Sequence, residues 1–136
     1  MDSDLVAALC ESARHVLWTT MQLHAEIEGG CGVAADAGHG ELIIESNQCN
    51  GWRLTLAARA ETVERFASLF SGRDASEDHA ACTDAMGELA SMILAHTLAG
   101  PTCQFDHGVL EATEQRRACV EVCTEYGDAR VAVVLT

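Results

Sequence analysis

Asp84-Ala85-Met86-Gly87-Glu88-Leu89-Ala90-Ser91-Met92-Ile93-Leu94-Ala95 is the stretch on which the reading of this chain turns. It lies inside the longest helix that the sequence predicts, from about Ser76 to Leu98. At roughly 100° of rotation per residue, Asp84, Glu88, Ser91 and Ala95 fall within about 60° of one another. Cys82, Met86, Leu89, Ala90 and Ile93 fall on the opposite side, the side that packs inward. Gly87 stands beside the polar stripe, although glycine inside a helix costs on the order of 1 kcal/mol relative to alanine. Close approach of another backbone is a reason to tolerate it. The stripe is therefore either an ordinary wet helix face or a docking surface for a partner.

Composition narrows the partners. The chain has 136 residues, a length suited to one domain over 1–136, and 49% of them are apolar. That share supports a core and argues against wholesale disorder. Net charge is −13, from 21 acidic and 8 basic residues, which disfavours nucleic acid and anionic membrane. A partner presenting Lys or Arg fits better. No segment reaches the ~18 apolar residues of a membrane span. Met1-Asp2-Ser3-Asp4 lacks the basic start of a secretory signal. The seven cysteines include no CxxC and read as reduced thiols, several of them buried, in a cytoplasmic protein.

Upstream and downstream of the central helix, periodicity predicts the remaining elements. A helix runs from Asp4 to about Met21, with Leu5, Leu9, Val16 and Leu17 among its apolar positions. Leu23 to Glu28 alternates as a strand, and a glycine-rich region follows with a short strand near Val33. Glu41 to Asn47 and Trp52 to Ala57 make a hairpin around Asn50-Gly51. Ala60 to Phe70 is a short helix that Ser71-Gly72 ends. Asp74-Ala75-Ser76-Glu77 has the spacing of a capping box that starts the long helix, and Gly100-Pro101 stops it. The tail reads as strands: a weak one over Val109 to Thr113, then Ala118 to Glu125 and Arg130 to Leu135 around a turn at Tyr126-Gly127-Asp128. The last strand is almost wholly apolar, hence central in its sheet and in need of a second layer or a neighbour. Strands joined by tight turns, with helices laid on one face, make an antiparallel α+β fold.

Motifs of other chemistries are missing. There is no GxSxG, HExxH, P-loop or GxGxxG pattern. His79 with Cys82, and Cys119 with Cys123, lack zinc-ligand spacing, so no metal site is expected. Asp84 and Glu88 are like charges one turn apart, and no Lys or Arg lies between Arg73 and Arg116 to relieve them.

The central helix resembles the signature helix of the CheC/CheX/FliY aspartyl-phosphate phosphatases of bacterial chemotaxis, CheX-like domains in particular. That signature places an acidic or serine residue, three residues, Glu, two residues, then Asn, with Gly before the Glu and Met-Ile after the Asn. Asp84, Gly87, Glu88, Met92 and Ile93 match. The upstream order of elements, including Val16 to Met21 and the hairpin around Gly51, is similar too, so the likeness spans roughly residues 5–98. The resemblance implies a possible homodimer, which the apolar strand from Arg130 to Leu135 supports only loosely, and docking on a phosphorylated CheY-like receiver through Asp84, Gly87, Glu88 and Ala95. Glu88 then pairs with a receiver lysine, and the receiver supplies Mg²⁺ and the phosphoryl group, leaving this chain without a cofactor of its own. Glu88 and Ser91 take the catalytic positions. The family's Asn is Ser91 here, and the first helix, near Glu11 and Arg14, holds no second copy of the motif. A serine hydroxyl is about two heavy atoms shorter than a carboxamide and rotates freely. The resemblance thus implies weak or lost hydrolysis, with non-catalytic receiver binding as the alternative. An unrelated α+β ligand-binding domain is the third reading.

Overall fold

A computed structural model describes residues 3–29, 41–46, 51–99 and 116–135. The elements run α1 (Ser3–Met21), β1 (Glu26–Gly29), β2 (Glu41–Ser46), β3 (Trp52–Arg59), α2 (Ala60–Ser71), α3 (His79–Ala99), β4 (Arg116–Thr124) and β5 (Gly127–Leu135). The five strands form one sheet in the order β1-β4-β5-β3-β2, and each neighbouring pair is antiparallel. This is the α+β architecture expected, with β5 in the middle. Because β4 and β3 already flank β5, that strand gives no reason to seek a second copy of the chain.

The helices cover one face. Alternation sends Leu54, Leu56 and Ala58 of β3, and Val131 and Val133 of β5, into a common core with Val120 and Val122 of β4. Leu5, Leu9, Val16 and Leu17 of α1, Val63 and Phe66 of α2, and Met86, Leu89 and Ile93 of α3 close over them. Each such aliphatic side chain taken fully out of water is worth about 1.5–3 kcal/mol, which outweighs helix propensity as the source of stability.

The opposite face is dry at its centre. Cys119, Ala132 and Thr55 lie in one row across β4, β5 and β3, and all three are buried, as is Ala57. Cys119 is disulfide-bonded, whereas Cys10, Cys82 and Cys123 are free. The expectation of reduced thiols therefore fails at Cys119, and cysteine usage no longer argues for a reducing compartment.

Several boundaries move for local reasons. The chain leaves α1 through Gln22, at φ 51°, whose N–H bonds to the Trp18 carbonyl at 2.9 Å. Leu23 then tucks into the core, so β1 starts at Glu26 and not at Leu23. β3 runs two residues beyond the expected Ala57, because β2 and β5 pair with it on both sides as far as Ala58. The capping box is not formed. Asp74 closes a turn of its own by accepting from the Ser76 N–H at 2.9 Å, and Glu77 adopts φ 65°. Asp78 caps α3 instead, its Oδ1 accepting from the Ala81 N–H at 3.0 Å. Helix α2 ends as expected at Gly72, which is left-handed at φ 73°.

Between β4 and β5 the chain turns over Glu125 and Tyr126, so Gly127 opens the strand. Gly127 has φ 131°, and a Cβ there would strike the Thr62 side chain of α2, so only glycine fits. The expected strands near Val33 and over Val109 to Thr113, Asn50 of the hairpin, and the Gly100-Pro101 stop lie outside the described residues. Among the described residues, no helix is long and apolar enough to cross a membrane.

Candidate docking face

Helix α3 shows its sequence pattern in three dimensions. Cys82, Met86, Leu89, Ala90 and Ile93 are buried, and Asp84, Glu88, Ser91 and Ala95 are exposed. The buried side orients the exposed one. Thr97 is buried near the far end of the helix, its hydroxyl satisfied by donating from Oγ1 to the Ile93 carbonyl of the same helix at 2.7 Å. At the near end the Cys82 thiol donates to the Ala75 carbonyl at 3.2 Å, and the Ala75 N–H donates to Ser68 Oγ of α2 at 2.9 Å. The loop before α3 is thus tied to both α2 and α3. Cys82 faces this core while His79 is exposed, so the two do not share a surface.

Beside the exposed stripe runs β2, an edge strand of the sheet. An open groove of about 880 Å³ separates the two. From α3 it is lined by Thr83, Asp84, Gly87, Glu88, Ser91 and Met92, and from β2 by residues 43–46. Four of the residues singled out from sequence therefore meet in one groove: Asp84, Gly87, Glu88 and Ser91. Ala95, one turn further on, does not line it.

Gly87 forms part of the lining without touching anything across it. A Cβ built there has nothing within 4 Å. No backbone of the described chain approaches this glycine, so its helix penalty is not offset by internal packing. Asp84 and Glu88 are likewise unsatisfied. Among the described residues neither makes a hydrogen bond or ion pair. An ion pair of the described residues lies elsewhere, between Arg130 Nη2 and Glu41 Oε1 at 2.6 Å on the sheet. Chemically the groove offers three carboxylates, those of Asp84 and Glu88 on α3 and Glu45 on β2, and among the described residues no basic side chain lines it. It suits a cation brought from outside.

The β2 wall is the part that sequence reading missed. Ser46 is buried in it, exchanging hydrogen bonds of 3.3 Å with the backbone of Leu54, while Ile43 and Glu45 remain exposed. In the strand they alternate with the buried Ile44 and Ser46. Nothing local, however, links them to a helix some 40 positions away in the chain.

No protein-family model and no curated protein matches the sequence. Solved structures do match the fold. The chemotaxis protein CheX from Desulfovibrio desulfuricans aligns with a TM-score of 0.66 at 13% identity, over 98% of this chain and 99% of that one. A chain of the CheX–CheY–BeF3–Mg complex from Borrelia burgdorferi aligns with a TM-score of 0.67 at 10% identity, over 98% and 99%. A CheC-like superfamily protein from Shewanella sp. PV-4 aligns with a TM-score of 0.59 at 16% identity, over 98% of both chains. This chain has the fold of the CheX and CheC-like chemotaxis proteins.

Proposed function

We propose that the exposed side of α3 docks onto a phosphorylated CheY-like receiver domain in two-component signalling. The observation that carries this reading is the groove itself. Asp84, Gly87, Glu88 and Ser91 stand together on an open face, with two unpaired carboxylates and room above the glycine. The fold adds support, since a CheX of this fold is seen in a complex with CheY, BeF3 and Mg. In this reading Glu88 takes a lysine of the receiver, and Asp84 strengthens the local negative field. Ser91 stands where a group would meet the water that attacks the acyl phosphate. Mg²⁺ and the phosphoryl group arrive with the receiver. The chain's part is positioning, which is where much of the barrier to phosphoryl transfer is removed.

Ser91 makes this a slow phosphatase or a binding module without catalysis. Its hydroxyl is shorter than a carboxamide and has no fixed donor–acceptor plane. A contact made chiefly in the transition state is the kind whose loss lowers rate most. Wild type, Ser91→Asn and Glu88→Ala are compared on a phosphorylated receiver domain from the same organism, following the decay of phosphoaspartate. We expect wild type to accelerate decay little or not at all, Ser91→Asn to accelerate it, and Glu88→Ala to lose binding. Fast turnover by wild type that Ser91→Asn reduces would remove the pseudoenzyme reading. Unchanged binding by Glu88→Ala would remove docking through α3.

A further inference from the structure

The sequence motif ends on the helix, but the groove does not. Its second wall is the edge strand β2, and the large apolar side chains exposed on the described surface are concentrated here. Among the described residues they are Trp18, Ile43 and Met92, at 48%, 42% and 41% exposure, and the last two line this groove from opposite walls. Carboxylates also stand on both walls, Glu45 on β2 and Asp84 and Glu88 on α3, and among the described residues no basic side chain lines it. A surface with apolar lips and acidic walls is complementary to a cation next to an apolar side chain. Among the described strands β2 also ends the sheet, so an extended segment has a strand edge to lie along.

We infer that β2 forms half of the docking surface, and that the partner inserts between β2 and α3 an extended segment carrying Lys or Arg beside an apolar side chain. This rests on the docking reading above and goes beyond it, because it places Ile43 and Glu45 among the residues that select the partner. A second copy of this chain is a poor occupant. Its net charge of −13 opposes three carboxylates, and it contains no lysine. A small molecule is also a poor occupant, since the groove is open along its length and would leave most of a small ligand in water.

The test uses the full chain against receiver domains from its own organism, each charged with beryllofluoride and magnesium. Four proteins are compared by titration: wild type, Glu88→Ala, the double variant Ile43→Lys/Glu45→Lys, and Trp18→Lys as an exposed apolar control away from the groove. The substituted positions are exposed, and circular dichroism checks that each variant folds. Loss of affinity by about tenfold or more in both Glu88→Ala and the double variant, with Trp18→Lys unchanged, supports the inference. Loss in Glu88→Ala with full affinity in the double variant leaves docking intact and overturns the β2 wall. Full affinity in both, or no binding by wild type, overturns docking itself. Loss in the double variant alone takes α3 out of the contact and overturns both. Carbodiimide cross-linking supplies a second readout. With no lysine in this chain, a Glu45 cross-link to a side-chain amine must reach a lysine of the partner, and a cross-link map confined to α3 counts against β2.

Discussion

The two flanks of the molecule are built alike and finished differently. On one, α1 lies over the edge strand β1 and its neighbour β4; on the other, α3 lies over the edge strand β2 and its neighbour β3. Each flank holds a glycine near the contact of helix and strand. On the first flank the glycine is on the strand. A Cβ at Gly29 would collide with the Val6 side chain of α1, so the helix packs down into the space that the glycine leaves. On the second flank the glycine is on the helix, and nothing fills the space beside Gly87. The same residue type closes one flank and opens the other. Charge follows the same division. The outer side of α1 mixes Glu11 with Arg14, His15 and Trp18, and His15 stacks on His96 of α3 at 4.5 Å. His96 in turn meets the buried Ser12 hydroxyl at 2.9 Å. The outer side of α1 carries charges of both signs, whereas the groove side of α3 carries carboxylates without a counter-charge. A flank left open and charged is the one available to a partner.

The largest expected effects test whether the flanks are equal where they are buried. Leu9→Ala in α1 and Leu89→Ala in α3 each remove a fully buried side chain. Each should lower unfolding free energy by about 2–5 kcal/mol in urea titrations. Markedly unequal losses would mean that the flanks differ in their cores and not only in their finish. Next comes the closed flank. Gly29→Ala should cost about 1–3 kcal/mol through overpacking against Val6. Adding Val6→Ala should recover part of that loss, because the two positions share one space. Additive losses in the double variant would deny that Val6 fills the glycine's space. The smallest effect separates stability from binding on the open flank. Gly87→Ala should leave stability unchanged or raise it by up to about 1 kcal/mol, since the Cβ meets nothing and the helix loses a glycine. The same change should weaken receiver binding. A destabilised Gly87→Ala protein would show that the groove is not open in solution.

How far the sequence could be read depended on how far each determinant acts along the chain. Helix α3, its buried and exposed sides, the αL stop at Gly72 and the central place of β5 all follow from residues within a few positions of one another. The start of α3 did not follow, although the signal looked strong. Asp74 and Glu77 have capping-box spacing, but Asp74 is used by its own turn and Glu77 turns left-handed, so Asp78 caps the helix. Asp74 and Asp78 are alternative caps one turn apart that accept from different N–H groups, and spacing alone does not rank them. The thiol reading failed at Cys119 for a related reason, since a disulfide joins positions that chain order does not bring together.

Sequence by itself determined the α+β class, the antiparallel hairpins and the polar stripe of α3, because hydrophobic period, turn residues and helical rotation act locally. It also determined that the stripe's carboxylates have no basic neighbour in the chain on either side. Tertiary structure alone decided which strand stands opposite that stripe. The pairing of β3 with β5 and of β4 with β1 leaves β2 at the edge, and the packing of α3 over β2 makes a groove of two walls from segments far apart in sequence. It also decided that Gly87 opens onto space while Gly29 is filled. Which side chain reaches a glycine depends on how helix and sheet pack, and neither residue carries that information.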